Sequence, residues 1–93
     1  MEVIVDRSFK KDFEKVPAYV KKQVAQFRES LLQVTHIDAL HPPIKYFYQD
    51  SAGRYYYRKR FGDYRLGLYI EENTVYLSRI LTRGEIYKYF PPN

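Results

Sequence analysis

Between residues 54 and 65 the chain carries Arg54, Arg58, Lys59, Arg60 and Arg65 against a single acid, Asp63. Guanidinium groups stay protonated and present a rigid fork of donors that matches phosphate oxygens. A cluster of them can therefore hold a polyanion or stabilise charge on a reacting phosphoryl group. Aromatic side chains accompany the cations: of eleven tyrosines, ten fall at or after Tyr46. Basic and aromatic residues interleaved in this way suit neutralisation of phosphates and stacking on bases. The same charges would also keep an exposed sheet face in water, a task lysine performs as well. The use of arginine favours anion binding.

Alternation along a strand would put Arg54, Tyr56, Arg58 and Arg60 on one face and Tyr55, Tyr57, Lys59 and Phe61 on the other. The arginine face cannot lie against a core. Lys59 then falls on the core side, from which its ammonium must snorkel outward, and it receives no functional role. In the next strand Arg65, Gly67 and Tyr69 share the polar face, opposite an apolar row of Tyr64, Leu66, Leu68 and Ile70. Gly67 is expected to leave a hollow between Arg65 and Tyr69 that admits a phosphate.

The elements that must position these residues can be read from period and punctuation. The β-branched run EVIV, residues 2–5, predicts a strand, and Asp6 and Ser8 are cap-like residues ahead of a short helix with Phe9, Phe13 and Val16 on one stripe. Pro17 breaks that helix and suits the start of another. Val20, Val24, Phe27, Leu31 and Val34 then recur at helical spacing, completing a helix hairpin. Residues 35–53, with Pro42-Pro43 and the turn-like DSAG, predict mostly connection, with a short extended piece at Tyr46 to Tyr48. Three strands follow, at about 54–61, 64–71 and 74–81, joined by a Gly62-Asp63 turn and a polar turn at Glu71 to Asn73. RGEIYKYF predicts a last short helix, stopped by Pro91-Pro92. The fold class expected is α+β: a twisted antiparallel sheet with the N-terminal helix hairpin on one face, the other face largely open, and a short C-terminal helix.

Composition narrows the function classes. Ninety-three residues predict one domain, 1–93, because two cores would each be too small to offset their ordering entropy. Sixteen Lys and Arg against eleven Asp and Glu give a charge of +5, which favours an acidic or polyanionic partner. No cysteine is present, so disulfides and thiolate metal sites are excluded. His36 and His41 lie in the connection without a second ligand cluster, and neither metal nor cofactor is expected. With no leader-like opening and no long apolar run, the expected location is the cytoplasm, away from membranes.

YRKRFGDYRLGLY at residues 57–69, followed after one strand by TRGEIYKYFP, resembles the RelE/ParE superfamily of toxins from type II toxin–antitoxin pairs, in its RelE-like branch. The strand and helix hairpin ahead of these segments fit the same order over nearly the whole chain. The resemblance implies a ribosome-dependent endoribonuclease that cuts messenger RNA and inhibits translation, with ribosome, messenger RNA and a cognate antitoxin as partners. It implies site residues Arg58 and Arg60 in the first meander strand, Arg65 opening the next, Arg83 after the last, and Tyr87 in the tail.

The implied reaction is metal-independent attack of a ribose 2′-hydroxyl on its neighbouring phosphate, giving a cyclic phosphate and a 5′-hydroxyl. It needs charge stabilisation, a base and an acid. Arginine meets the first need and not the second. Many relatives carry histidine or lysine just before the arginine matched by Arg83, where this chain has Thr82, so proton transfer falls to Tyr87, or to Glu85 or Tyr89. Ile86 and Tyr87 would equally serve to dock the tail. Two alternatives share the fold: a ParE-like toxin that binds gyrase, and an inactive member that only binds RNA or protein.

Overall fold

The computed structural model describes residues 1–91. Strand β1, Glu2–Val5, leads directly into helix α1, Arg7–Phe13. Asp6 takes the cap position with extended backbone, but its side chain makes no capping bond. Ser8 does not cap either; its hydroxyl donates to the Ser78 carbonyl at 2.8 Å and fastens α1 to the sheet. Val16 continues the stripe of Phe9 from beyond the helix end. Helix α2, Ala18–Gln33, starts after Pro17 and buries Val20, Val24, Phe27 and Leu31 along the expected seam.

The connection is more structured than its sequence suggests. A single 3-10 turn, Ile37–Ala39, sends Ile37 into the core with Leu40, and the extended piece is a full strand, β2, Lys45–Gln49. Strands β3, Tyr55–Phe61, β4, Tyr64–Glu71, and β5, Thr74–Thr82, form the meander, and α3, Ile86–Tyr89, is the last element of the described residues. Gly62 enters the β3–β4 turn at φ 59°, a conformation that favours glycine. The helix stop expected at Pro91-Pro92 falls partly on Pro92, outside the described residues.

The five strands lie in the order β1-β5-β4-β3-β2. The sheet is mixed rather than wholly antiparallel, because β1 pairs with β5 in parallel. The two helices carry the chain across one face from β1 to the far edge, the long crossover a parallel pair requires. Past the end of β1 the outer edge of β5 is closed by α1: the Asp12 carboxylate accepts the Ile80 amide at 3.1 Å and holds Arg79 in a two-pronged pair at 2.7 and 3.0 Å. Closing an edge in this way blocks further strand pairing.

The main core lies between the helices and the sheet, built from Val20, Val24, Leu31, Leu66, Leu68, Val75, Leu77 and their neighbours. The opposite face, expected to be largely open, carries a second cluster in which Tyr56, Ile86 and Phe90 are buried. Strand alternation explains it: Tyr56 points away from the helices, and α3 folds back to cover it. Among the described residues, no helix is long and apolar enough to cross a membrane.

Candidate functional site

Strands β3 and β4 run antiparallel with Arg58 opposite Gly67 and Arg60 opposite Arg65. Two arginines directly across a ladder repel one another, so the arrangement costs stability unless an anion sits between them. Arg65 is steadied by its own hairpin: one terminal nitrogen donates to the Gly62 carbonyl at 2.8 Å and the Tyr64 carbonyl at 3.0 Å. The Arg83 amide donates to the Asp63 carbonyl at 2.8 Å, which holds the segment after β5 against the same turn.

The tail completes the wall. Ile86 and Phe90 are buried on one side of α3, which leaves Tyr87 exposed on the other. Its ring stacks on Phe47 of β2 at 6.1 Å, and Arg58 donates to its hydroxyl. The Arg58 guanidinium lies over both rings, 5.4 Å from Phe47 and 5.6 Å from Tyr87, which fixes its orientation through cation–π attraction. Ile86, expected to dock the tail together with Tyr87, does so with Phe90 instead, and Tyr87 faces outward.

The five residues expected at the site, Arg58, Arg60, Arg65, Arg83 and Tyr87, all line one cleft of about 470 Å³. Lys45, Lys59, Pro43 and Ile44 complete it, so every charged lining residue is a cation. Lys45 stands at the start of β2, one residue ahead of the extended piece expected at Tyr46 to Tyr48, and carries no site signal in the sequence. Lys59 does snorkel: its ammonium sits 5.8 Å from the Phe27 ring and 5.9 Å from Phe61 and reaches the cleft from the core side.

Two expectations are corrected. The hollow at Gly67 is not open to phosphate, because the Phe90 ring fills it; a Cβ built on Gly67 would meet ring atoms at 2.6 Å. Arg54 shares the strand face but not the cleft: it pairs with Asp50 at 2.8 Å in the β2–β3 turn and lies over Tyr69. Asp50 also accepts the Tyr56 hydroxyl at 3.0 Å, and its carboxyl is held below the usual range: burial pushes it up, but hydrogen bonds from the Arg54 amide, Tyr56 and the Arg54 side chain outweigh that. Burial first, then this bond to Asp50, pushes the Tyr56 phenol up to about 12.

Among the arginines of β3 to β5 and the turns beside them, ion pairing separates two groups. Arg54 and Arg79 are matched to carboxylates, whereas among the described residues none of Arg58, Arg60, Arg65 and Arg83 forms an ion pair. Glu85 and Tyr89, the other candidates for proton transfer, line a separate recess beside Asp12 and Arg79. There Glu85 pairs with Lys88 at 3.1 Å and Tyr89 lies under Arg79 at 4.9 Å. Of the three tail candidates, Tyr87 is the one in the arginine cleft.

Residues 3–87 match the model of a family described as the ParE toxin of type II toxin-antitoxin system, parDE. Toxin RelE3 of Methanocaldococcus jannaschii is 32% identical over 91 residues, spanning 98% of this chain and 100% of the relative. The RelB-RelE antitoxin-toxin complex from Methanococcus jannaschii superposes with a TM-score of 0.73 at 26% identity, covering 95% of this chain and 99% of that one. An archaeal RelE-RelB complex from Pyrococcus horikoshii OT3 shares the fold, with a TM-score of 0.68 at 17% identity over 89% of this chain and 94% of that one. The sequence signature, the mixed five-stranded sheet and these matches agree, and the chain belongs to the RelE/ParE superfamily of toxins from type II toxin–antitoxin systems.

Proposed function

We propose that this chain is a ribosome-dependent, metal-independent endoribonuclease of messenger RNA, held inactive by a cognate antitoxin. The observation that carries the reading is the single cleft that Arg58, Arg60, Arg65 and Arg83, none ion-paired among the described residues, line together with Tyr87, whose hydroxyl accepts from Arg58. A solubilising surface would not set Arg60 opposite Arg65, and a docking tail would not need Tyr87 turned towards the cations.

In the proposed reaction the 2′-oxygen of one ribose attacks the adjacent phosphorus and its proton passes to solvent water, while the bond to the 5′-oxygen breaks and that oxygen takes up the Tyr87 proton, which solvent then restores. A 2′,3′-cyclic phosphate and a free 5′-hydroxyl result. The guanidinium groups stabilise the negative charge that gathers on the phosphoryl oxygens. Because Tyr87 accepts a hydrogen bond from Arg58, its own proton is directed away from the guanidinium and is available to the leaving 5′-oxygen. The arginines cannot take the proton from the 2′-hydroxyl. Alignment of that oxygen for attack is assigned to the ribosome, which is why the activity is expected to depend on it.

The solved relatives are antitoxin–toxin complexes by their descriptions. For this chain we infer an antitoxin with an acidic amphipathic segment, since carboxylates would satisfy the unpaired arginines.

The test is a map of cut sites in messenger RNA on translating ribosomes. Wild-type protein is expected to cut in the decoding site, and Arg65→Ala or Arg83→Ala to lower cutting about 100-fold or more, the usual effect of removing one donor to a developing oxyanion. Tyr87→Phe is expected to reduce it through the loss of the leaving-group acid. Folded wild-type protein that cuts nothing but inhibits gyrase supercoiling would replace this reading with the ParE-like one.

A further inference from the structure

A second recess of about 330 Å³ opens beside the arginine cleft, and the two share Lys59 and Arg60 as a common wall. Its chemistry differs. The α2 side offers Gln23, Gln26 and Ser30, and the connection offers His41, with no carboxylate among the lining residues. Gln23 and Gln26 stand three apart on the exposed face of α2, while Val20, Val24 and Phe27 pin that helix to the sheet from the buried face.

The arginine cleft is rich in donors aimed at phosphate oxygens. Amides and hydroxyls both donate and accept, which is the requirement for telling one base edge from another. Single-stranded RNA offers unpaired base edges to such groups. A strand whose phosphate lies in the first cleft therefore meets, one step along the Arg60 wall, a rigid helix face able to read a base.

We propose that this recess seats the base of a nucleotide flanking the scissile phosphate, and that Gln23 and Gln26 set the sequence preference at that position. The inference rests on the nuclease reading and adds to it a specificity site. It predicts that cut choice is governed partly by α2, an element that contributes nothing to the charge around the phosphate.

Two measurements test it on the full chain. The first maps cut sites on translating ribosomes for wild type and for the Gln23→Ala/Gln26→Ala variant, whose substitutions are exposed and compatible with a helix. Base preference at the flanking nucleotide is expected to weaken by about tenfold in the variant. The second follows the Gln23 and Gln26 side-chain amide resonances of wild type on addition of short, 2′-O-methylated single-stranded RNAs differing in one base. Shifts that depend on the base are expected. Unchanged preference in a variant that still cuts overturns the specificity site and leaves the nuclease reading in place. If wild type cuts nothing, the nuclease reading falls, and the amide resonances decide the recess alone: base-dependent shifts support it and silent amides overturn it.

Discussion

Substituting Gly67 by alanine would build a Cβ 2.6 Å from Cγ and Cδ2 of Phe90 and 2.7 Å from Cδ1. Carbon atoms are in optimal contact at about 3.5–4.0 Å, so the methyl intrudes by about 1 Å. Strand β4 is paired on both sides and cannot retreat. The ring must move, and with it α3, which is anchored by Phe90 and Ile86. Overpacking of this kind costs about 1–3 kcal/mol. Removing the ring by Phe90→Ala costs about 3 kcal/mol on its own account. In that background the added methyl meets empty space, and Gly67→Ala should stabilise by about 0.5–1 kcal/mol, the ordinary advantage of alanine over glycine in a strand. The sign of the substitution therefore reverses, and the coupling in a double-mutant cycle is about 1.5–4 kcal/mol. Urea unfolding of the four proteins measures it. If Gly67→Ala costs the same with and without the Phe90 ring, to within about 0.5 kcal/mol, the account of the tail's seating is wrong.

Asp12→Ala should destabilise by about 3 kcal/mol, because it strands the half-buried Arg79 guanidinium and the Ile80 amide at once. Asp12→Ala/Arg79→Met should recover most of that loss in the same urea assay; no recovery would mean the carboxylate acts mainly through the strand edge. Alkaline stability should fall between about pH 10, where Tyr56 ionises in the unfolded chain, and about 12, where it ionises in the folded one. Its raised pKa contributes stability that is full below this window and lost across it, at about 1.4 kcal/mol per pH unit. Tyr57 and Tyr69, also raised by burial, add to the slope. Tyr56→Phe should lower the slope by one proton's worth, and an unchanged slope would rule out Tyr56 as a contributor.

The parts of this architecture that were legible in the sequence are those fixed by local rules. The α2 seam from Val20 to Leu31 follows from helical period, and the Gly62-Asp63 turn from backbone chemistry. The arginine faces of β3 and β4 follow from strand alternation alone. What was hidden depends on partners distant in the chain. The parallel pairing of β1 with β5 and the Asp12–Arg79 pair join residues from opposite ends and leave no local trace. The filling of Gly67 by Phe90 is of the same kind, and turned an expected phosphate hollow into a packing contact. Lys45 falls just ahead of the extended piece legible at Tyr46 to Tyr48, and nothing local says that β2 lies along the arginine cleft. Arg54 was within reach: Asp50 stands four residues earlier across a tight turn, and that spacing marks it as a structural ion pair.

The two hydrophobic clusters are of unequal size and lie on opposite faces of the sheet, with only Tyr56, Ile86 and Phe90 fully buried in the smaller. The tail can therefore detach while the main core stays shut, at a free energy well below that of global unfolding. The Lys88 and Phe90 amides, bonded at 3.1 and 2.8 Å within α3, should then exchange with solvent far sooner than those of β4. On the proposed mechanism the population would divide into armed molecules, with Tyr87 beside Arg58, and disarmed ones with the same sheet and no tyrosine in place. The turnover expected on that mechanism is the intrinsic rate multiplied by the armed fraction. Warming should thus erode activity some degrees before the sheet melts.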